Sequence, residues 1–289
     1  MSVSVDVIRV GGRDLAGGSP GPGDGGSGLP VSDVALLNMV RAGNSAAAGA
    51  LRARHVAAAH TLACLLPTGP ARAEAVVAES FQRIQDALGR GGGPADAFRP
   101  HLLAVVVAVA SRADQGRARN RLAMPVPGPG CPLVGAADAG PDAAAVVRAF
   151  LTLPERWSSA LWYAEIELAA PVAVAPLLGV TVPACTELIT CARDALRTAY
   201  LQVYGSSRPY PDCRAVIDDL AAWLHEALGQ SGKAAVDRHL RCCRSCWSAC
   251  SELIDIGGAL RGSLAPLVLG PAAFAYCARM AGLPAAGGH

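Results

Sequence analysis

At 289 residues the chain can hold two or three small domains, and a hydrophobic share of 52% supplies a core for each, which excludes a disordered chain. The formal net charge is only +2, so a globally basic nucleic-acid binder is excluded and any polyanion contact has to come from a local patch. Aromatic residues are 4% of the sequence and alanine and leucine dominate, so the expected fold class is all-α.

Residues 1–30 are rich in glycine, proline and serine and read as a disordered tail. They lack a basic segment followed by an apolar one, so no secretory signal is expected and the chain is placed in the cytoplasm. In that reducing compartment the ten cysteines point to buried small side chains or metal ligands rather than a disulfide framework. The basic residues are almost all arginine, with Lys233 the sole lysine, a skew that matches a GC-rich coding bias.

From Ser32, an expected N-cap, apolar periodicity runs through Val34, Leu36, Leu37 and Val40 and stops near Gly43. A second helix is expected from Ser45 to Leu66, broken by Pro67 and Gly69. A third runs from Pro70 to Leu88, and a fourth from Pro94 to Gly116. These four make one expected domain, 31–116. Phe81 and Phe98 are assigned to its core, and His55, His60 and His101 read as ordinary helix residues. Arg83, Arg90, Arg99, Arg112, Arg117, Arg119 and Arg121 either form a phosphate-binding face or a solvated one.

Residues 117–141, with Pro125, Pro127, Pro129 and Pro132, have linker chemistry. A second block, 142–204, opens a helix at Leu153-Pro154-Glu155-Arg156-Trp157 that continues through Leu161, Trp162 and Ile166. A short helix starts at Pro171, a tight turn follows at Gly179-Val180-Thr181, and a longer helix runs from Pro183 to Tyr200. A short helix, a glycine-containing turn and a longer helix form the arrangement that carries its last helix into a major groove, although a generic helical hairpin fits the pattern equally. Glu165 and Glu167 are expected on a solvated or DNA-flanking face.

A shorter linker, 205–211, leads to a third block, 212–260. In His239-Leu240-Arg241-Cys242-Cys243-Arg244-Ser245-Cys246, residues three and four apart share a helix face, so His239, Cys243 and Cys246 converge with the nitrogen and sulfur donors that zinc prefers. Cys213, one helix earlier, is the expected fourth ligand and His225 the alternative. Four protein ligands make a closed, structural site. Cys64, Cys131, Cys185, Cys191 and Cys277 lack partners at metal spacing and are expected to be buried, while Cys242 and Cys250 fit either role. The tail 261–289 is apolar. Its uncharged run 262–278 is too short for a membrane span and contains Pro266, Gly270 and Pro271, so packing on a neighbouring domain or a partner is expected.

Leu153-Pro154-Glu155-Arg156-Trp157, Ala175-Pro176-Leu177-Leu178-Gly179-Val180-Thr181 and Ala192-Arg193-Asp194-Ala195-Leu196-Arg197 closely resemble region 4 of extracytoplasmic-function sigma factors. That resemblance implies that Thr186, Thr190, Arg193 and Arg197 lie near promoter DNA. Ser32-Asp33-Val34-Ala35-Leu36-Leu37 and the stretch 72–81 resemble region 2, which implies RNA polymerase core binding through Glu74 and Glu79 and DNA contact through Arg112 and Arg117. The Cys…His-x₃-Cys-x₂-Cys order resembles the zinc-binding anti-sigma domain, which implies a sigma/anti-sigma contact within the chain or between chains. The expected function is a sigma factor modulated in cis by a fused zinc domain, with a degenerate sigma-like regulator that sequesters partners as the other reading. No Gly-rich phosphate loop, Ser/His/Asp constellation or open metal site is recognised, so neither an enzyme nor a small-molecule substrate is expected.

Overall fold

Ser32 begins the fold as an N-cap, its hydroxyl accepting the Ala35 N–H at 3.1 Å. The computed structural model describes residues 29–119, 143–206 and 210–282, and among them every regular element is helical, as the composition requires. Helices α1 (Asp33–Arg41), α2 (Ser45–Leu65), α3 (Pro70–Gly89) and α4 (Phe98–Arg119) pack against one another through Leu37, Leu62, Phe81, Phe98 and Leu102. Asn44 caps α2, its side chain accepting the Ala47 N–H at 3.1 Å. Helix α4 starts at Phe98 rather than Pro94. Its preceding N–H groups, on Asp96 and Ala97, are bound at 2.6 and 3.3 Å by the Glu155 carboxylate, which fixes a turn there instead of a helix.

The second block holds α5 (Ala143–Leu151), α6 (Glu155–Leu161), a π-helical turn (Trp162–Ile166), α7 (Pro171–Leu178) and α8 (Val182–Ser206). The third holds α9 (Pro211–Leu224), α10 (Gln230–Cys242), α11 (Arg244–Ile254), α12 (Ile256–Leu269), a 3₁₀ turn (Gly270–Ala272) and α13 (Ala273–Met280). Helix α12 runs on past residue 260. Its apolar side chains Leu260, Leu264 and Leu269 are buried, and it packs against α4, α5, α8 and the π turn, while α13 packs against α2. The apolar tail is thus a shared core element of the chain.

Length does not separate this tail from a membrane span. Pro266 lies inside α12 and Gly270-Pro271 form a 3₁₀ turn instead of a stop, so Ile256–Met280 is one 25-residue stretch long and apolar enough to cross a membrane. Here it is packed on its neighbours.

Gly179 ends α7 in the left-handed region, at φ +66°. A Cβ there would lie 2.6 Å from the Ser32 Cβ, so the turn between α7 and α8 sits directly on the start of α1. Gly179→Ala therefore combines a strained φ with a steric clash and is expected to cost about 1–3 kcal/mol, read as a lower midpoint in thermal circular dichroism.

Candidate functional site

Three features carry charge or ligand chemistry: a Cys/His cluster, the α7–α8 corner, and a buried polar chain that connects the blocks.

The cluster is assembled by a break. Cys243 has extended backbone, φ −112° and ψ 103°, so it ends α10 and starts α11. His239, Cys243 and Cys246 therefore meet across a helix corner and not along one continuous helix, as their spacing alone suggested. Cys213, in the first turn of α9, faces them. The ligand atoms of Cys213, His239, Cys243 and Cys246 lie within 4.8 Å of one another, and the group can hold a metal ion. Two observations fit the donor set to one. The Cys213 and Cys243 sulfurs are 3.8 Å apart, and a tetrahedral zinc with Zn–S bonds of ~2.3 Å separates its sulfurs by about 3.8 Å. The His239 Nε2 is buried and has no hydrogen-bond partner, an arrangement that a ligand role explains.

Hydrogen bonding from the Cys246 backbone N–H holds the Cys243 thiol below its ordinary value, whereas burial and the neighbouring sulfurs push Cys246 up to about 12. His225 is exposed and stands outside the cluster. Cys242 is exposed and Cys250 buried. Of the cysteines assigned to the interior, Cys185 and Cys277 are buried, Cys64 is half-buried beside His60, Cys191 is exposed, and Cys131 lies outside the described residues.

At the corner, α7 and α8 cross at 93°, joined by Gly179-Val180-Thr181. Crossings of about 90–120° with a short turn are the geometry of helix-turn-helix units. Thr186 and Thr190 are exposed on α8, their hydroxyls donating to the carbonyls of Val182 and Thr186 at 3.1 and 3.0 Å. Arg193 and Arg197 continue the same face but are engaged. Arg193 pairs with Glu165, and Arg197 donates to the Leu253 carbonyl at 3.2 Å and to Asp194 at 2.9 Å. Glu187 and Asp194 are exposed on α8. Elsewhere Glu74 and Glu79 are exposed on α3, with Glu79 bound to Arg83 at 2.6 Å, and Arg112 is exposed on α4. The Arg117 side chain lies outside the described ones.

Glu165 and Glu167 are inside the protein, against their expected solvated placement. The π turn and the following Leu168, at φ +53°, widen and reverse the backbone so that both carboxylates point inward. Glu167 accepts hydrogen bonds from Arg99 at 2.9 Å, Trp162 at 3.0 Å and Tyr276 at 2.7 Å. Arg99 is buried too, so it leaves the phosphate-binding face to which its charge assigned it. Its Nε–H donates to His55 Nδ1 at 2.8 Å, which makes His55 Nε2–H the donor to Asp33, also 2.8 Å away, and Asp33 binds Arg54 at 2.9 Å. His55, far from an ordinary helix residue, is fully buried at the centre of a chain that joins α1, α2, α4, the π turn and α13.

Electrostatics agree with that tautomer. Burial, reinforced by the Arg99 charge, lowers the His55 pKa despite its bond to Asp33. Burial pushes the Asp33 carboxyl up, but hydrogen bonds and charges from His55 and Arg54 outweigh it and hold it below its ordinary value. Burial opposes the Arg99 charge, yet the Glu167 carboxylate raises its pKa on balance. The signal in the sequence was position: Glu165 and Glu167 interrupt the apolar run from Leu161 to Leu168, where a charge needs a buried partner.

Comparison with protein-family models, with curated proteins and with solved structures finds no match to this chain.

Proposed function

We propose that the chain is a transcription initiation factor of the extracytoplasmic-function sigma type, directing RNA polymerase core to promoter DNA, with a zinc-binding hairpin built from α9–α11 that modulates it in cis. The 93° crossing of α7 on α8 about Gly179, with Thr186 and Thr190 open on the second helix, carries this reading. The sequence resemblance supplies its functional content. Exposed Glu74 and Glu79 on α3 offer an acidic surface for polymerase core, and exposed Arg112 a phosphate contact. Zinc, held by Cys213, His239, Cys243 and Cys246, is structural in this scheme, since four protein ligands leave no open position.

Run-off transcription with core polymerase on genomic promoter fragments tests it. The expected result is transcripts from discrete start sites, lost when Thr186 and Thr190 are both replaced by Glu, because the new carboxylates repel phosphate while the exposed positions leave the fold intact. Absence of transcripts from folded, zinc-loaded protein excludes the sigma reading.

A second reading, a sigma-like regulator that sequesters partners, is favoured by one observation. The exposed charges on α8 are acidic, Glu187 and Asp194, whereas its arginines are half-buried and paired, Arg193 with Glu165 and Arg197 with Asp194 and the Leu253 carbonyl. Retention of a sigma or polymerase subunit by a chain that yields no transcripts supports that alternative.

A further inference from the structure

The outer surface of α8 is chemically narrow. From Leu168 through α7 and the first half of α8 to Ala192, Glu187 is the one charged residue in the sequence, and no histidine, asparagine or glutamine occurs there. Val182, Pro183, Thr186, Glu187, Thr190 and Cys191 are exposed on that half of the helix, at the three- and four-residue spacings that share a face. The hydroxyls of Thr186 and Thr190 donate to the carbonyls of Val182 and Thr186, so their hydrogens are committed to the helix itself. What these threonines offer a ligand is a methyl group and oxygen lone pairs. The next carboxylate, Asp194, is engaged by Arg197 at 2.9 Å. The exposed first half of α8 therefore presents methyl groups and acceptors and no side-chain N–H donor.

Base edges in the major groove differ in what they demand of a protein. Guanine shows two acceptors there and adenine an acceptor beside its amino group, so both are read by side chains that donate. Cytosine shows an amino donor, which a carboxylate accepts, and thymine shows a methyl group. In a helix-turn-helix unit the N-terminal residues of the second helix meet these edges. We infer that α8 reads pyrimidines: Glu187 takes the amino group of a cytosine, and Thr186 and Thr190 pack their methyl groups on neighbouring thymines. Guanine in place of that cytosine is disfavoured, because its two acceptors would face the Glu187 carboxylate with no donor between them. Phosphate contact falls to the second half of the helix, where Arg193 keeps a side chain 39% exposed while its Nε is held by Glu165. The inference rests on the proposed DNA-reading role of α8 and adds which bases that helix selects.

The test is selection by the whole chain, at low salt, from a pool of short duplexes with a randomised core, followed by fluorescence anisotropy on the enriched sequence. The enriched core is expected to hold a cytosine next to thymines on one strand. Glu187→Gln keeps the size of an exposed side chain and changes its chemistry, because a glutamine amide pairs with both adenine groups in the major groove. In that variant the cytosine is expected to give way to adenine, each protein preferring its own base by about tenfold. Such a change of base identity is a readout that a merely structural role for Glu187 does not move. Replacing thymidine by deoxyuridine removes only the methyl group and is expected to weaken binding by the unaltered chain about fourfold per contact, the worth of one buried methyl. Thr186→Ser combined with Thr190→Ser retains the hydroxyls and loses the methyl groups, and is expected to bind both duplexes alike.

Three results overturn the pyrimidine reading while leaving α8 a DNA-reading helix: an enriched core without a cytosine–guanine pair, a cytosine preference that survives Glu187→Gln, or equal binding of thymidine and deoxyuridine duplexes by the unaltered chain. A pool that enriches no sequence removes DNA reading by α8 and this inference with it. Selection needs no polymerase, so a cytosine-to-adenine switch without any run-off transcript keeps the inference and removes the sigma reading.

Discussion

Purified under reducing conditions, the chain is expected to carry about one zinc ion, and Cys243→Ser or His239→Ala is expected to remove it and unfold the α9–α11 hairpin. Cys243 is at once a member of the four-residue cluster that can hold a metal and the corner between α10 and α11, so in the proposed zinc site its replacement frees the angle between two helices. Beyond that corner the hairpin is held by packing of α9 on α8 and α10 and by the Tyr204 hydroxyl, which donates to the Ser245 carbonyl at 2.7 Å. Its buried apolar side chains are few, chiefly Val216, Ile217, Leu220, Val236, Leu240 and Leu253, and small cores need a staple. Structural zinc sites contribute on the order of 10–16 kcal/mol of apparent binding free energy, which in such units is folding free energy. Metal content by mass spectrometry, and hydrogen exchange over 211–254 with and without a chelator, check the expectation together. A metal-free chain whose exchange is unaffected by added zinc or by chelator would sink it.

How far the sequence could be read depended on whether local chemistry decided the outcome. Helix existence in the first block was legible because caps and breakers are local: Ser32 and Asn44 bind N–H groups three residues on, and Pro67 with Gly69 separates α2 from α3. The four metal-site residues were legible because ligand type and spacing constrain one another. Their corner was not, since nothing about Cys243 alone marks it as extended. Long-range pairing was also hidden. The start of α4 depends on Glu155, a residue distant in sequence, and the helical passage through Pro266 depends on packing against four other elements. The arginines of α8 were expected near DNA from resemblance alone, and their pairing with Glu165 of the π turn and with the Leu253 carbonyl of α11 depends on residues distant in sequence.

The buried polar chain carries the second large effect. Arg99→Ala is expected to destabilise the protein by about 3–5 kcal/mol, because it leaves the Glu167 carboxylate buried without its cation and His55 Nδ1 without a donor. For a protein of this size that corresponds to a fall of roughly 10 °C in the thermal midpoint. Glu167→Gln keeps an acceptor for Trp162 and Tyr276 and is expected to cost less than Arg99→Ala. The same chain gives stability a pH dependence of known sign. His55 stays neutral in the fold, its pKa lowered by burial and by Arg99, while in the unfolded chain it titrates near 6.5. Below that value the unfolded state binds a proton that the native state refuses, so stability falls by up to about 1.4 kcal/mol per pH unit until the lowered native pKa is passed. Asp33, held below its ordinary value of 3.8, acts in the same direction: its contribution is full above that value and is lost as the pH falls through the lowered one. Chemical denaturation between pH 7 and pH 5 is expected to show the His55 slope. In His55→Gln, which can still bridge Arg99 and Asp33 but does not titrate, the slope is expected to flatten, and an undiminished slope in that variant would assign it to other groups.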